Sequence, residues 1–194
     1  MTTVPPLAPP YMAFAVRWTR DDCKKLEAAG VLNYRYELIE GVIIRTSRYL
    51  PHAMTVNRAA NWLNGRFGDD HVATQASITV APNETAVTRP EPDVCLFNKP
   101  SSSITTNQPR PEDIAPLIEV PYSTLDCDLQ TKAGVYARAK VPQYLVIDVN
   151  GRVVYDHTLI APGVYDRQTR TPGDAIVLLA APQLALTVDD LLLP

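Results

Sequence analysis

The sequence predicts an α/β fold with one central mixed β-sheet flanked by helices. Three observations carry the prediction. Segments with helical spacing and short β-type runs follow one another in the order helix, hairpin, helix, strands, helix, strands. The run Tyr144-Leu145-Val146-Ile147 is apolar without alternation, as in a strand covered on both faces. The chain has 194 residues, 46% hydrophobic and 20% charged, the balance of an ordinary globular domain. A chain of this length buries roughly 70% of its unfolded surface and needs no disulfide or structural metal.

A proline-rich arm, residues 1–16, precedes a single domain over 17–194. Thr19 before Arg20-Asp21-Asp22, with Gly30 as the stop, predicts a helix over 20–29. Tyr34 to Ile39 and Val42 to Ile44 are β-prone, and the two residues between them, Glu40-Gly41, suit a tight turn, so 34–46 reads as a hairpin. Met54, Val56, Ala59, Ala60, Leu63 and Phe67 keep helical spacing after Pro51 and predict a helix over 51–67. Three β-rich runs follow, 72–80, 93–97 and 117–120, with a polar loop over 99–111 between the last two. A helix is predicted over 125–139, a buried strand over 144–147, and a hairpin through Asn150-Gly151 into 152–155. The tail carries apolar runs at 176–179 and 187–193. No repeat or heptad period is present.

Charge and cysteine use narrow the setting. With 18 Lys+Arg against 21 Asp+Glu the formal net charge is −3, which argues against a broad basic face coating nucleic acid but leaves room for a local basic groove. Cys23, Cys95 and Cys127 are odd in number and widely spaced, with no zinc-type pairing, as expected for a reducing cytoplasmic setting. Four prolines within residues 1–10 do not suit a signal peptide or a spanning helix, so no membrane association is expected. The 18 prolines fall mostly between apolar runs, as punctuation.

The chain has no Walker A sequence, Rossmann fingerprint, G-x-S-x-G elbow or H-E-x-x-H motif. What remains is a set of acids at strand ends. Asp93 leads into Val94-Cys95-Leu96-Phe97, and Glu119 stands among Leu117, Ile118 and Val120, where an ionised carboxylate is costly unless paired or bound to a cation. Two carboxylates on adjacent strands would make an oxygen-rich site for a hard divalent ion such as Mg²⁺. Asp128 and Lys132 follow at i, i+4 on the next helix, from which the lysine could reach back over the strand end. Spacing alone also allows plainer readings: Asp93 as a loop end, Asp128 with Lys132 as an ordinary pair on a solvated helix face, Glu37 and Glu40 as a strand face and a turn. Of the three histidines, His52 at a helix start is the one retained as a candidate.

Taken in order, these residues resemble the Uma-two-type restriction endonuclease family of the PD-(D/E)XK nuclease superfamily. The likeness runs through Tyr36-Glu37-Leu38-Ile39-Glu40-Gly41, His52 with Val56-Asn57-Arg58, Glu91-Pro92-Asp93, and Glu119-Val120 with Ser123-Thr124, Asp128, Lys132 and Tyr136-Ala137-Arg138-Ala139. It ends in Val141-Pro142-Gln143-Tyr144 and Val146-Ile147-Asp148. The resemblance implies a restriction-endonuclease-like core and Asp93, Glu119 and Lys132 as the metal- and water-handling triad. Two residues after the second acid, where the superfamily carries its lysine, stands Pro121, so the amine would come from Lys132.

The resemblance further implies Mg²⁺ or Mn²⁺ held by Asp93, Glu119 and the Val120 carbonyl, a DNA substrate, and Glu37 or Glu40 with His52 completing the shell. One compact site cuts one strand, so double-strand cleavage implies a homodimer or two successive visits. The rival reading is a nuclease-fold module without catalysis that binds nucleic acid or self-associates. A glycosidase-type carboxylate pair would leave Lys132 idle.

Overall fold

Thr19 opens the first helix, α1 (Arg20–Ala28), with a capping box. Its hydroxyl accepts the Asp22 N–H, and the Asp22 carboxylate accepts the Thr19 N–H, so two donors of the helix start are satisfied reciprocally. The structure, a computed structural model, describes residues 15–46, 49–106 and 108–193. The arm expected over 1–16 therefore lies, up to residue 14, outside the described residues.

Strands β1 (Tyr36–Ile39) and β2 (Val42–Arg45) form the expected antiparallel hairpin. Its turn puts Glu40 at φ 49° and Gly41 at φ 80°, the left-handed pair that matches the twist of a two-residue hairpin. Gly41 is required twice over, because a Cβ there would also collide with Arg17. Helix α2 (Leu50–Phe67), with Pro51 in its first turn, follows.

The central sheet has six strands: β3 (Val72–Thr74), β4 (Val94–Phe97), β5 (Ile114–Glu119), β6 (Gln143–Asp148), β7 (Val153–Ala161) and β8 (Val164–Arg170). They lie in sequence order, all antiparallel except β5 with β6. A parallel pair needs a crossover, supplied by the helical stretch 125–138: a π-helical turn (Cys127–Lys132) running into α3 (Ala133–Arg138). Both faces of the sheet are covered, which is why β5 and β6 are buried at every position. Val94, Leu96, Ile118, Leu145 and Ile147 pack toward Val56, Ala59 and Leu63 of α2. Cys95, Phe97, Leu117, Tyr144 and Val146 pack toward Val135 and Tyr136 of α3 and Ile39 of the hairpin. The tail adds a small ladder, β9 (Ala175–Ile176) with β10 (Leu186–Thr187), and a closing turn of helix, α4 (Val188–Leu191). The architecture is the α/β arrangement that the pattern predicts.

Four details differ from the sequence reading. The run 72–80 is a strand only to Thr74, because Gln75 turns to φ 54°; Ile78 and Val80 are buried beyond it without joining the ladder. The second central helix widens into a π-turn. Strand β7 extends well past residue 155. Strand β8 was not expected at all: its sequence, VYDRQTR, is mostly exposed and polar and carries little apolar signal, although Gly163 at φ 79° marks the turn before it. Among the described residues no helix is long and apolar enough to cross a membrane.

One core residue sets a pH limit on stability. His157 on β7 is buried, its Nδ1 lies 3.1 Å from the Tyr144 carbonyl, and its Nε2 has no hydrogen-bond partner among the described residues. Burial, the main cause, pushes its pKa down to about 4 from 6.5. As pH falls below 6.5 the unfolded chain takes the proton first, so stability is full above 6.5 and declines toward 4. The gap is worth about 3 kcal/mol. In urea denaturation between pH 4 and 8, His157→Gln should lose about one proton's worth of pH slope over that window; a slope unchanged from wild type contradicts this account.

Candidate active site

Strands β4 and β5 pair with Val94 opposite Ile118, so Asp93, just before β4, and Glu119, the last residue of β5, come side by side. The two-residue alternation of strands turns both toward the α3 face, with Cys95, Phe97 and Leu117. Asp93 is anchored by the Val120 N–H, which donates to its Oδ2 at 2.9 Å. His52, in the first turn of α2, places Nδ1 2.7 Å from the Val120 carbonyl oxygen. A carbonyl only accepts, so Nδ1 carries the proton and Nε2 faces Asp93 Oδ1 at 3.4 Å.

Lys132 closes the site from the other side. Its ammonium lies 2.7 Å from Glu37 Oε2, 2.9 Å from Glu119 Oε1 and 3.2 Å from Asp128 Oδ1, with 5% of the side chain exposed. The carboxylates are themselves held. Tyr136 donates its hydroxyl to Glu119 Oε1 at 3.0 Å, the Glu91 N–H donates to Glu37 Oε1 at 2.8 Å, and Thr124 donates to Asp128 Oδ2 at 2.8 Å. Asp128 Oδ1, despite the nearby ammonium, is a buried oxygen with no hydrogen-bond partner among the described residues.

The π-turn explains how one helix delivers four of these side chains. Thr124, Asp128, Lys132 and Tyr136 are spaced by four. Four residues overshoot a turn of α-helix and fall short of a turn with the wider i→i+5 ring, so a helix that mixes both keeps the four in one line. The wider ring is visible in the Ala133 N–H donating to the Asp128 carbonyl. The Tyr144 hydroxyl donates to the same carbonyl at 3.2 Å, tying the bulge to β6.

Four acids, Glu37, Asp93, Glu119 and Asp128, share one lysine. Burial lifts the Glu119 carboxyl well above the usual range, against the pull of Lys132, and raises Glu37 and Asp93 as well. Burial alone would lower the Lys132 ammonium; Glu119, Glu37 and Asp128 outweigh it and hold the lysine well above its usual value. Lys132 is thus an ammonium, and the excess negative charge calls for a proton or a further cation.

Among the described residues no three His, Cys, Asp or Glu converge as a ready-made metal cage. Among the residues lining the cleft, Asp93 and Glu119 offer carboxylates and Val120 a carbonyl, beside Glu37 and Asp128, which Lys132 engages. That set fits Mg²⁺, which takes one or two carboxylates and keeps several waters. The cavity, ≈ 70 Å³, has room for about two waters at ~30 Å³ each.

The structure therefore brings Asp93, Glu119, Val120, Lys132 and His52 together, and of the two alternatives Glu37 and Glu40 it brings Glu37. Glu40 is not brought here: its carboxylate meets Arg138 at 2.6 Å, on the hairpin turn beyond Glu37, and it does not line the cleft. Pro121 is buried in the cleft wall and, having no N–H, leaves no open donor there. Asp128 and Tyr136 were not singled out for this role; their spacing of four from Lys132 is the signal that marks them. The rim carries Arg35, paired with Glu91 at 3.0 Å, Arg45 and Tyr122.

Residues 25–189 match a family model, Uma2, described as a putative restriction endonuclease. Among solved structures, the fold is similar to a putative nuclease belonging to DUF820 from Anabaena variabilis, with a TM-score of 0.67 and 17% identity, covering 89% of this chain and 96% of that one. No curated protein matches the sequence.

The charge imbalance predicts opposite responses to two substitutions in metal-free urea denaturation at neutral pH. Lys132→Met strands three carboxylates and should cost about 3–5 kcal/mol. Glu119→Gln keeps an acceptor for Lys132 and Tyr136 while removing one negative charge, and should fall within ~1 kcal/mol of wild type or above it. Equal losses from both would show that the acids are not in excess.

Proposed function

Because this chain belongs to the Uma2 family, described as putative restriction endonucleases, we propose that it is a divalent-metal-dependent nuclease that hydrolyses phosphodiester bonds in DNA. One observation carries the reading: two carboxylates at adjacent strand ends, Asp93 and Glu119, with an ammonium 2.9 Å from the second. Asp93, Glu119 and the Val120 carbonyl would hold Mg²⁺ or Mn²⁺. When bound there, such an ion lowers the pKa of water and offsets charge building on a phosphate.

The chain's own groups divide the remaining work. Tyr136 and Lys132 both occupy Glu119 Oε1, which leaves Oε2 for the cavity. The Val120 N–H holds Asp93 Oδ2 and leaves Oδ1 beside His52. His52 fixes the direction of the Val120 carbonyl. Lys132, a compact point charge kept protonated by Glu37, Glu119 and Asp128, orients the attacking water or meets the charge that develops on the phosphate. Glu37 and Asp128 act through Lys132 as positioning residues. Double-strand cleavage by such a site calls for a homodimer or two visits, a choice that sedimentation would read directly.

The test is plasmid nicking and thermal unfolding in parallel, with and without Mg²⁺ or Mn²⁺. Wild type should nick only with metal and gain stability from it, about 2.7 kcal/mol at a hundredfold excess over Kd. Asp93→Ala and Glu119→Ala should lose both responses while staying folded. DNA binding without any metal effect on wild type would instead assign the chain to the class of nuclease folds that bind without cutting.

A further inference from the structure

Beside the acidic cleft lies a feature that the proposed chemistry does not use. The rings of Tyr49 and Tyr122 stack with centroids 4.0 Å apart and planes 26° from parallel. Tyr49 is 48% exposed and Tyr122 45%, so the pair stands in solvent rather than filling a core. Tyr122 lines the cleft two residues after Val120, while Tyr49 precedes α2, whose first turn carries His52. Leu50 and Met54, both exposed, continue the apolar surface along the opening of α2.

The cleft also has basic lining. Arg35 and Arg45, from the ends of the β1–β2 hairpin, line the same cleft. Glu91 neutralises Arg35, whereas Arg45 makes no ion pair among the described residues and lies over the Tyr34 ring at 4.9 Å. The cavity, ≈ 70 Å³, has room for about two waters, so bases attached to a phosphate there must lie outside it, where the cleft's lining includes arginine and the exposed Tyr122. A continuous duplex keeps its bases stacked on one another and offers an aromatic ring no face; an unpaired base does.

Resting on the nuclease reading above, we propose that Tyr122, backed by Tyr49, is a stacking platform for an unpaired nucleobase next to the scissile phosphate. The substrate class is then single-stranded DNA, or the single-stranded part of a flap or overhang. Arg45, which lines the same cleft, supplies a phosphate contact, and Tyr49 holds the Tyr122 ring in place.

The test compares a short single strand carrying 2-aminopurine with the blunt duplex of the same sequence, each titrated with the full-length protein. A Glu119→Gln background in Mg²⁺ prevents cleavage. The single strand should bind at least tenfold tighter than the duplex, with quenching of 2-aminopurine. Adding Tyr122→Ala should weaken single-strand binding roughly tenfold, in keeping with stacking on one aromatic ring, and leave duplex binding unchanged. Tyr122→Trp should preserve both affinity and quenching, which separates stacking from loss of fold.

Equal affinity for the two forms, with no effect of Tyr122→Ala, overturns the platform while metal-dependent nicking by the wild type leaves the nuclease reading standing. Loss of self-association by Tyr122→Ala without change in DNA binding overturns it too, by assigning the rings to a subunit contact. A wild type that neither binds either form nor nicks DNA removes the nuclease reading and the platform together.

Discussion

A single ammonium, Lys132 Nζ, buried among Glu37, Glu119 and Asp128, is the contact on which the rest of the site depends. Each carboxylate comes from a different element: β1, the end of β5 and the π-turn. In a site this deeply buried an isolated carboxylate is costly to keep ionised, and an isolated ammonium equally so. The lysine therefore fixes where the hairpin docks, where the helix runs and which way the strand end points. It does so at a cost in stability, since well-packed apolar groups would hold the same elements at least as firmly. On the nuclease reading, that cost is the price of the site's chemistry.

The two faces of the sheet share the labour. Packing toward α2 is wholly apolar along Val94, Leu96, Ile118 and Leu145, and this side supplies rigidity. On the other side the apolar set gives way where β4 begins and β5 ends, and there Asp93 and Glu119 emerge. His52 bridges the layers by reaching from α2 to the Val120 carbonyl. The site thus stands on strand ends and helix turns whose positions are set by well-packed neighbours, the kind of support that precise side-chain placement needs.

Much of this was legible in the sequence, for reasons that can be named. The capping box at Thr19, the Glu40-Gly41 turn and the unbroken apolar run of β6 are local signals, and each marks the element it forms. Asp93 and Glu119 stood out because a carboxylate beside an apolar strand demands an explanation. Three features were hidden. Strand β8 is an edge strand with exposed polar residues, and its place comes from pairing with β7 rather than from its own composition. The exit of 75–80 from the sheet follows from one backbone angle at Gln75. The roles of Glu37 and Asp128 depend on a meeting of segments far apart in the chain, so in one dimension Asp128 with Lys132 is indistinguishable from a solvated helix pair. Glu40 shows the reverse: adjacency to the right residue in sequence does not bring a side chain to the cleft, because the hairpin turn aims it at Arg138.

The electrostatics of the cleft tie cation and substrate together. Four acids against one lysine make the cavity repulsive to a phosphate, and the net charge of −3 does nothing to relieve this. Arg35 cannot help much while Glu91 holds it, which leaves Arg45 on the rim. A divalent cation at Asp93 and Glu119 would offset two of the three excess negative charges close to the phosphate, where the interior dielectric makes each charge count more than it would in water. On the nuclease reading, then, the cation is as much a condition for admitting the substrate as for acting on it. Aromatic contact at the rim, which owes nothing to charge, becomes the natural means of holding a nucleic acid that the acidic surface would otherwise turn away.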